Sequence, residues 1–194
     1  MGSGFKIAIV DENPLRAAIL EEGLLEAGHR NVTRVSERAN LLARLMALDP
    51  DVILIDLENP SRDVLEQMFQ VSRVVKRPVA MFVEQSDTAS IEAAIVGGVS
   101  AYIVDGLRKE RVKHVLDISI MRFKAFARLK DELDQAKTAL EERKVIDRAK
   151  GILMRAKNLP EEDAYALLRK TAMNEKRRIA DIAQSIITAA DVLK

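Results

Sequence analysis

Four strand-length apolar runs divide the first 110 residues: Lys6–Val10, Val52–Asp56, Val79–Val83 and Ala101–Val104, with a weaker fifth at Val32–Val35. A run of this length without polar alternation has no solvent face. It suits a parallel strand covered on both sides, which needs a crossover helix between successive strands. The intervening segments supply helix signals. Asn13-Pro14 pairs a capping side chain with a proline in the first turn. Leu15, Ala18 and Ile19 then fall on one face, which is expected to be the core face, and Gly28 stops the helix. Leu41, Leu42, Leu45 and Leu48 form a second stripe ended by Asp49-Pro50, and Ile91, Ala94 and Ile95 line a short helix stopped by Gly97-Gly98.

The resulting βαβαβαβαβ order predicts an α/β domain, a flavodoxin-like doubly wound sheet of five parallel strands in the order 2-1-3-4-5. From about Arg111 to Met154 there is no proline and one glycine, Gly151, which predicts one long helix. Phe126, Leu129, Leu133, Ala136 and Leu140 follow 3-4-3-4 spacing, the seam of a short coiled-coil dimer; packing of that stripe on the α/β domain is the alternative. Beyond it, Val145, Ala149, Ile152, Leu153 and Ala156 begin a new stripe. Asn158-Leu159-Pro160 breaks the helix. Ala164, Leu167, Leu168 and Ala172, then Ile179, Ile182, Ala183, Ile186 and Ile187, give two more amphipathic helices. The expected division is residues 5–122, a helical linker at 123–141, and a three-helix module at 142–194.

Charge separates the same parts. From Arg143 onward there are 12 Lys/Arg against 7 Asp/Glu, whereas the preceding residues hold 19 against 23. A basic module beside a mildly acidic body points to a polyanionic partner for the module. The absence of cysteine excludes disulfides, thiolate metal sites and cysteine nucleophiles. His29 and His114 are too far apart in sequence to suggest a metal cluster. No apolar run is long enough to span a bilayer and no secretory signal is evident, so a cytoplasmic location is expected.

In an open α/β sheet, ligands sit at the carboxyl ends of the strands. Asp11 and Glu12 end the first strand and Asp56 ends the third, which is its expected neighbour. Three carboxylates gathered there call for a cation, and hard oxygen ligands suit magnesium. No His, Cys or Lys stands beside them as base or nucleophile, so no turnover is expected and no cofactor is required beyond that ion. The segments KIAIVDENP and VILIDLENP resemble the first and third strands of response-regulator receiver domains. The resemblance covers about residues 5–125. It implies that Asp56 is the phospho-acceptor position and that Asp11 and Glu12 are the magnesium-holding pair. Two switch positions depart from the family: Val83 stands where receivers carry a Ser or Thr, and Asp105 where they carry a lysine. An inward Asp105 at about 5 Å would repel each unit of phosphoryl charge by roughly 3 kcal/mol at an effective dielectric near 20. An outward Asp105 would remove that repulsion without restoring the lysine. The domain therefore reads as a pseudo-receiver.

The tail carries Ala149-Lys150-Gly151-Ile152-Leu153-Met154, then Glu162 with Ala164-Tyr165, Leu168-Arg169 and Ala172-Met173. These pieces resemble, in order, the ANTAR domain, an RNA-binding module of transcription antiterminators. Pro160 replaces a capping serine common in that family. Arg148, Lys150, Gly151, Arg155, Arg169, Lys170, Arg177 and Arg178 are the candidate RNA-contacting residues. The arginines offer both phosphate contacts and flat guanidinium surfaces on which loop bases stack. Gly151 costs a helix about 1 kcal/mol relative to alanine, which points to close approach by another helix or by a ligand backbone, with the helix preferred. The whole arrangement is similar to ANTAR regulators of nitrate assimilation and, more distantly, of amidase expression. That similarity implies binding to leader RNA with paired hairpin loops, a homodimer on RNA, and control by a sequestering sensor that resembles periplasmic binding proteins. The rival reading is a phosphorylation-controlled DNA-binding regulator. The helix from Ile179 carries Asp181, Gln184, Ser185 and Thr188 and no basic residue after Arg178, which suits a DNA groove poorly.

Overall fold

In the computed structural model the apolar runs become β1 Ile7–Val10, β2 Val32–Val35, β3 Val52–Leu57, β4 Val79–Val83 and β5 Ala101–Ile103. All neighbouring pairs are parallel and the order is β2-β1-β3-β4-β5, as the alternation predicts. The structure describes residues 4–192; the expected module's last two residues lie outside them. Two compact units are present, the first running to Ala127 and the second starting at Arg128.

In the first unit, side chains alternate across the sheet and split the core in two. Ala8, Val10, Ile53, Ile55, Leu57, Val79, Met81 and Val83 pack toward α2 (Leu41–Leu48), α3 (Arg62–Val75) and α4 (Thr88–Val96). Ile7, Ile9, Val52, Leu54, Ala80 and Phe82 pack toward α1 (Pro14–Glu26) and the start of α5 (Lys109–Lys157). Asp56, near the end of β3, and Asp11, one residue past β1, continue the second set, so both lie on the α1 side of the sheet.

Two helices present faces other than those expected. On α1, Ala17, Leu20 and Leu24 are fully buried, whereas Leu15 is 77% exposed and Ala18 and Ile19 are also exposed. This helix carries two apolar stripes. The Asn13 cap, three residues after β1, fixes the helical phase and turns the 17-20-24 stripe to the sheet. On α4, Ala94 is buried while Ile91 and Ile95 face outward. Ala94 packs in the core layer that holds Phe69 of α3, so a small residue, not a branched one, faces inward there.

The second unit is a three-helix bundle made from the end of α5, α6 (Glu161–Glu175) and α7 (Ile179–Val192). Its core is Ala149, Leu153, Ala164, Leu168, Ala172, Ile182, Ala183 and Ile187. Asn158, at φ 52°, turns the chain out of α5, and Pro160 opens α6 without a side-chain cap. Glu161, Glu162 and Asp163 fill its first turn, where the helix dipole favours negative charge. The expected seam residues Phe126, Leu129, Leu133, Ala136 and Leu140 are all exposed. No helix among the described residues is long and apolar enough to cross a membrane.

Candidate functional site

The acidic pocket lies at the carboxyl ends of β1 and β3, a hollow of 330 Å³ lined by Asp11, Glu12, Arg16, Arg38 and Asp56 among others. The local chain path explains its contents. Asn13 accepts a hydrogen bond from the Leu15 N–H at 3.0 Å and starts α1 immediately after β1. The third residue of that helix, Arg16, is thereby placed over the strand ends. Its Nε and Nη2 donate to the two oxygens of Asp56 at 2.5 and 2.9 Å, and its Nη1 donates to Glu84 at 2.6 Å. The Asp56 side chain has no solvent exposure. The carboxylates of Asp56 and Glu84 hold the Arg16 guanidinium firmly protonated, well above its ordinary range.

Asp11 is also buried. One of its oxygens accepts the Asn13 N–H at 2.8 Å, and the other, Oδ2, has no partner. Burial, reinforced by the charge of Asp56, pushes its carboxyl up to about 6. Glu12, on the wall of the same hollow, accepts from Arg38, whose hydrogen bond lowers its pKa.

These positions do not fit a magnesium site. Both Asp56 oxygens are occupied by a guanidinium, Glu12 is paired with Arg38, and no three His, Asp or Glu side chains among the described residues are grouped to hold a metal ion. Val83 is fully buried and packs in the core layer away from α1, so it offers the pocket nothing. Asp105 is exposed, at φ 72°, and does not line the hollow. The repulsion expected from an inward Asp105 is therefore absent, because its left-handed turn carries the side chain outward. The next residue, Gly106, also has a positive φ, 78°, and a Cβ there would sit 2.8 Å from the Glu84 carboxylate.

Sequence reasoning missed Arg16 and Glu84. Signals for both are present: a basic residue one turn into a helix that follows an acidic strand end, and an acidic residue two places after the inward-facing Phe82. Neither signal specifies the pairing, which joins positions 40 and 68 residues apart.

In the second unit the candidate cations do not form one free patch. Lys150 is 15% exposed and bridges Asp147 and Glu161, each at 2.7 Å. Arg148 meets Asp191 at 2.9 Å, Arg177 meets Glu175 at 3.1 Å, and Arg178 meets Glu142 at 2.8 Å. Arg155, Arg169 and Lys170 are exposed and have no ion pair among the described residues. Arg169 and Lys170 line a shallow hollow on α6 with Tyr165 and Met173. Gly151 has open space where a Cβ would be, so no helix of this chain approaches it closely. Of the two expected reasons for that glycine, close packing by a neighbouring helix does not hold.

Residues 7–117 match the response regulator receiver domain family and residues 134–187 match the ANTAR domain family. The chain is an ANTAR-domain response regulator. It is 22% identical over 182 residues to the transcriptional regulatory protein PdtaR of Mycobacterium tuberculosis, covering 94% of this chain and 89% of that protein. It is 37% identical to the nitrate regulatory protein of Klebsiella oxytoca over 76 residues, 39% of this chain and 19% of that longer protein. A response regulator from Thermotoga maritima shares the receiver fold at a TM-score of 0.51 and 17% identity, over 59% of this chain and 96% of that one. Within this ANTAR response regulator, the receiver unit thus holds Asp56, the expected phospho-acceptor position, in an ion pair with Arg16.

Proposed function

We propose that this response regulator is an RNA-binding transcription antiterminator that acts in the cytoplasm and is not an enzyme. Its ANTAR unit binds paired hairpin loops in a leader RNA and keeps the terminator from forming. The observation that carries this reading is the hollow on α6, where unpaired Arg169 and Lys170 lie beside Tyr165 within a matched ANTAR domain. A ring and a guanidinium stack on exposed bases, and a free ammonium contacts phosphate. Arg148, Arg177 and Arg178 are held by weak exposed bridges and remain available to RNA.

The likeness to a nitrate regulatory protein favours nitrate or nitrite assimilation genes as the target. Control through a sequestering sensor that resembles a periplasmic binding protein, more than through phosphorylation, agrees with an acceptor aspartate already gripped by Arg16. A second copy pairs along the exposed seam from Phe126 to Leu140, giving a homodimer on RNA. Leu133→Glu is expected to abolish that pairing in sedimentation experiments.

Gel shifts at matched salt, with a two-hairpin leader RNA beside duplex DNA, test the output function. Tighter binding to the RNA is expected, unchanged by prior treatment with acetyl phosphate and magnesium. Tighter binding to duplex DNA, or an affinity that rises after phosphodonor treatment, favours the phosphorylation-controlled DNA-binding reading instead.

A further inference from the structure

The acidic pocket of the receiver unit contains its own cation. Arg16 uses three of its donor atoms, with Nε and Nη2 on the two oxygens of Asp56 and Nη1 on Glu84. A guanidinium held in this fork is planar, and it cannot lose its proton. A divalent ion entering the same place would have to displace a fixed positive charge and recover both Asp56 oxygens for near-octahedral coordination. A second, independent feature lies in the same hollow. Asp11 is 4% exposed, and its Oδ2 has no hydrogen-bond partner. The pocket thus holds one oxygen free to ligate and two that Arg16 blocks.

We propose that Arg16 is a resident counter-cation, occupying the acidic pocket in place of a divalent metal and closing it to metal for as long as the arginine is there. Removing the arginine converts Asp11 and Asp56 into a donor pair with space around it for the ion's remaining waters. Neither RNA binding nor a sensor partner enters this inference, so it stands or falls separately from the output function.

The test uses the full chain and manganese as the probe, followed by water-proton relaxation, with magnesium melts alongside. The wild-type protein is expected to show no saturable site at millimolar manganese. Arg16→Ala is expected to acquire one, at least about tenfold tighter than any residual wild-type binding, because the carboxylates of Asp11 and Asp56 then face the ion without a competing fixed cation. Adding Asp11→Asn to Arg16→Ala should remove the gain and so locate the ion in this pocket. Arg16→Gln keeps a hydrogen-bonding group without the charge and serves as the folded reference. If Arg16→Ala folds only when magnesium is added, its metal-dependent rise in Tm reports the same event. Wild-type binding as tight as that of Arg16→Ala overturns the proposal. So does a failure of both variants to respond to either metal.

Discussion

In the receiver unit, the 17%-exposed Arg16 grips a carboxylate that has no exposure at all; in the ANTAR unit, Arg148 and Arg178 meet Asp191 and Glu142 with their side chains 58% and 71% exposed. The ions and their separations are similar, but the surroundings differ. Inside the pocket, desolvation makes each charge depend on its partner, so the pair is a structural commitment. On the bundle surface, water already solvates both ions and the bridge adds little. The first unit therefore fixes its charges, and the second keeps its cations ready to exchange one anion for another. That exchange is what an RNA-binding surface requires.

The largest expected effect breaks the buried side of this comparison. Arg16→Ala leaves Asp56 buried without its partner and is expected to cost about 3 kcal/mol in urea unfolding of the receiver unit. Adding Asp56→Asn should restore much of the loss, because no unpaired charge is then buried. Asp11 gives the next effect, with the opposite sign. Its folded-state pKa, about 6, lies above the ordinary 3.8, so the folded protein holds that proton more tightly than the unfolded chain does. Stability is therefore expected to fall as pH rises from about 4 to 6. Asp11→Asn should remove that fall and stabilise the protein above pH 6 by about 1–3 kcal/mol in the same measurement.

The exposed side yields smaller numbers. Arg169→Ala should weaken leader-RNA binding by about 1–2 kcal/mol and lower the salt dependence of the affinity, while leaving the melting curve in place. Arg148→Ala should change stability by less than about 1 kcal/mol, despite its bridge to Asp191. A loss for Arg148→Ala as large as that for Arg16→Ala would erase the distinction between the two units.

Most of the fold was legible in the sequence. The strand runs, the helix stops at Gly28 and Asp49-Pro50, the sheet order and the bundle helices all follow from local pattern. The phase of α1 was not, because Leu15-Ala18-Ile19 and Ala17-Leu20-Leu24 are equally good stripes on paper. The site was half legible. Asp11 and Asp56 are where strand ends on one side of the sheet must put them, but the expected magnesium arrangement is not. The direction of Asp105 and the surroundings of Gly151 could not be read for one reason: which way a side chain points, and what stands beside it, are not local properties.

Local sequence by itself determined the element order, the two-unit division of charge and the resemblance to receiver and ANTAR domains. Periodicity, caps and motifs act over a few residues and need no partner. Only the tertiary structure decided that Asp56 is already paired. That pairing requires α1 to be capped at Asn13, β3 to end at the same level, and Glu84 to approach from the residue after β4. Once burial has removed water from that point, a guanidinium within reach of two carboxylates has no better partner.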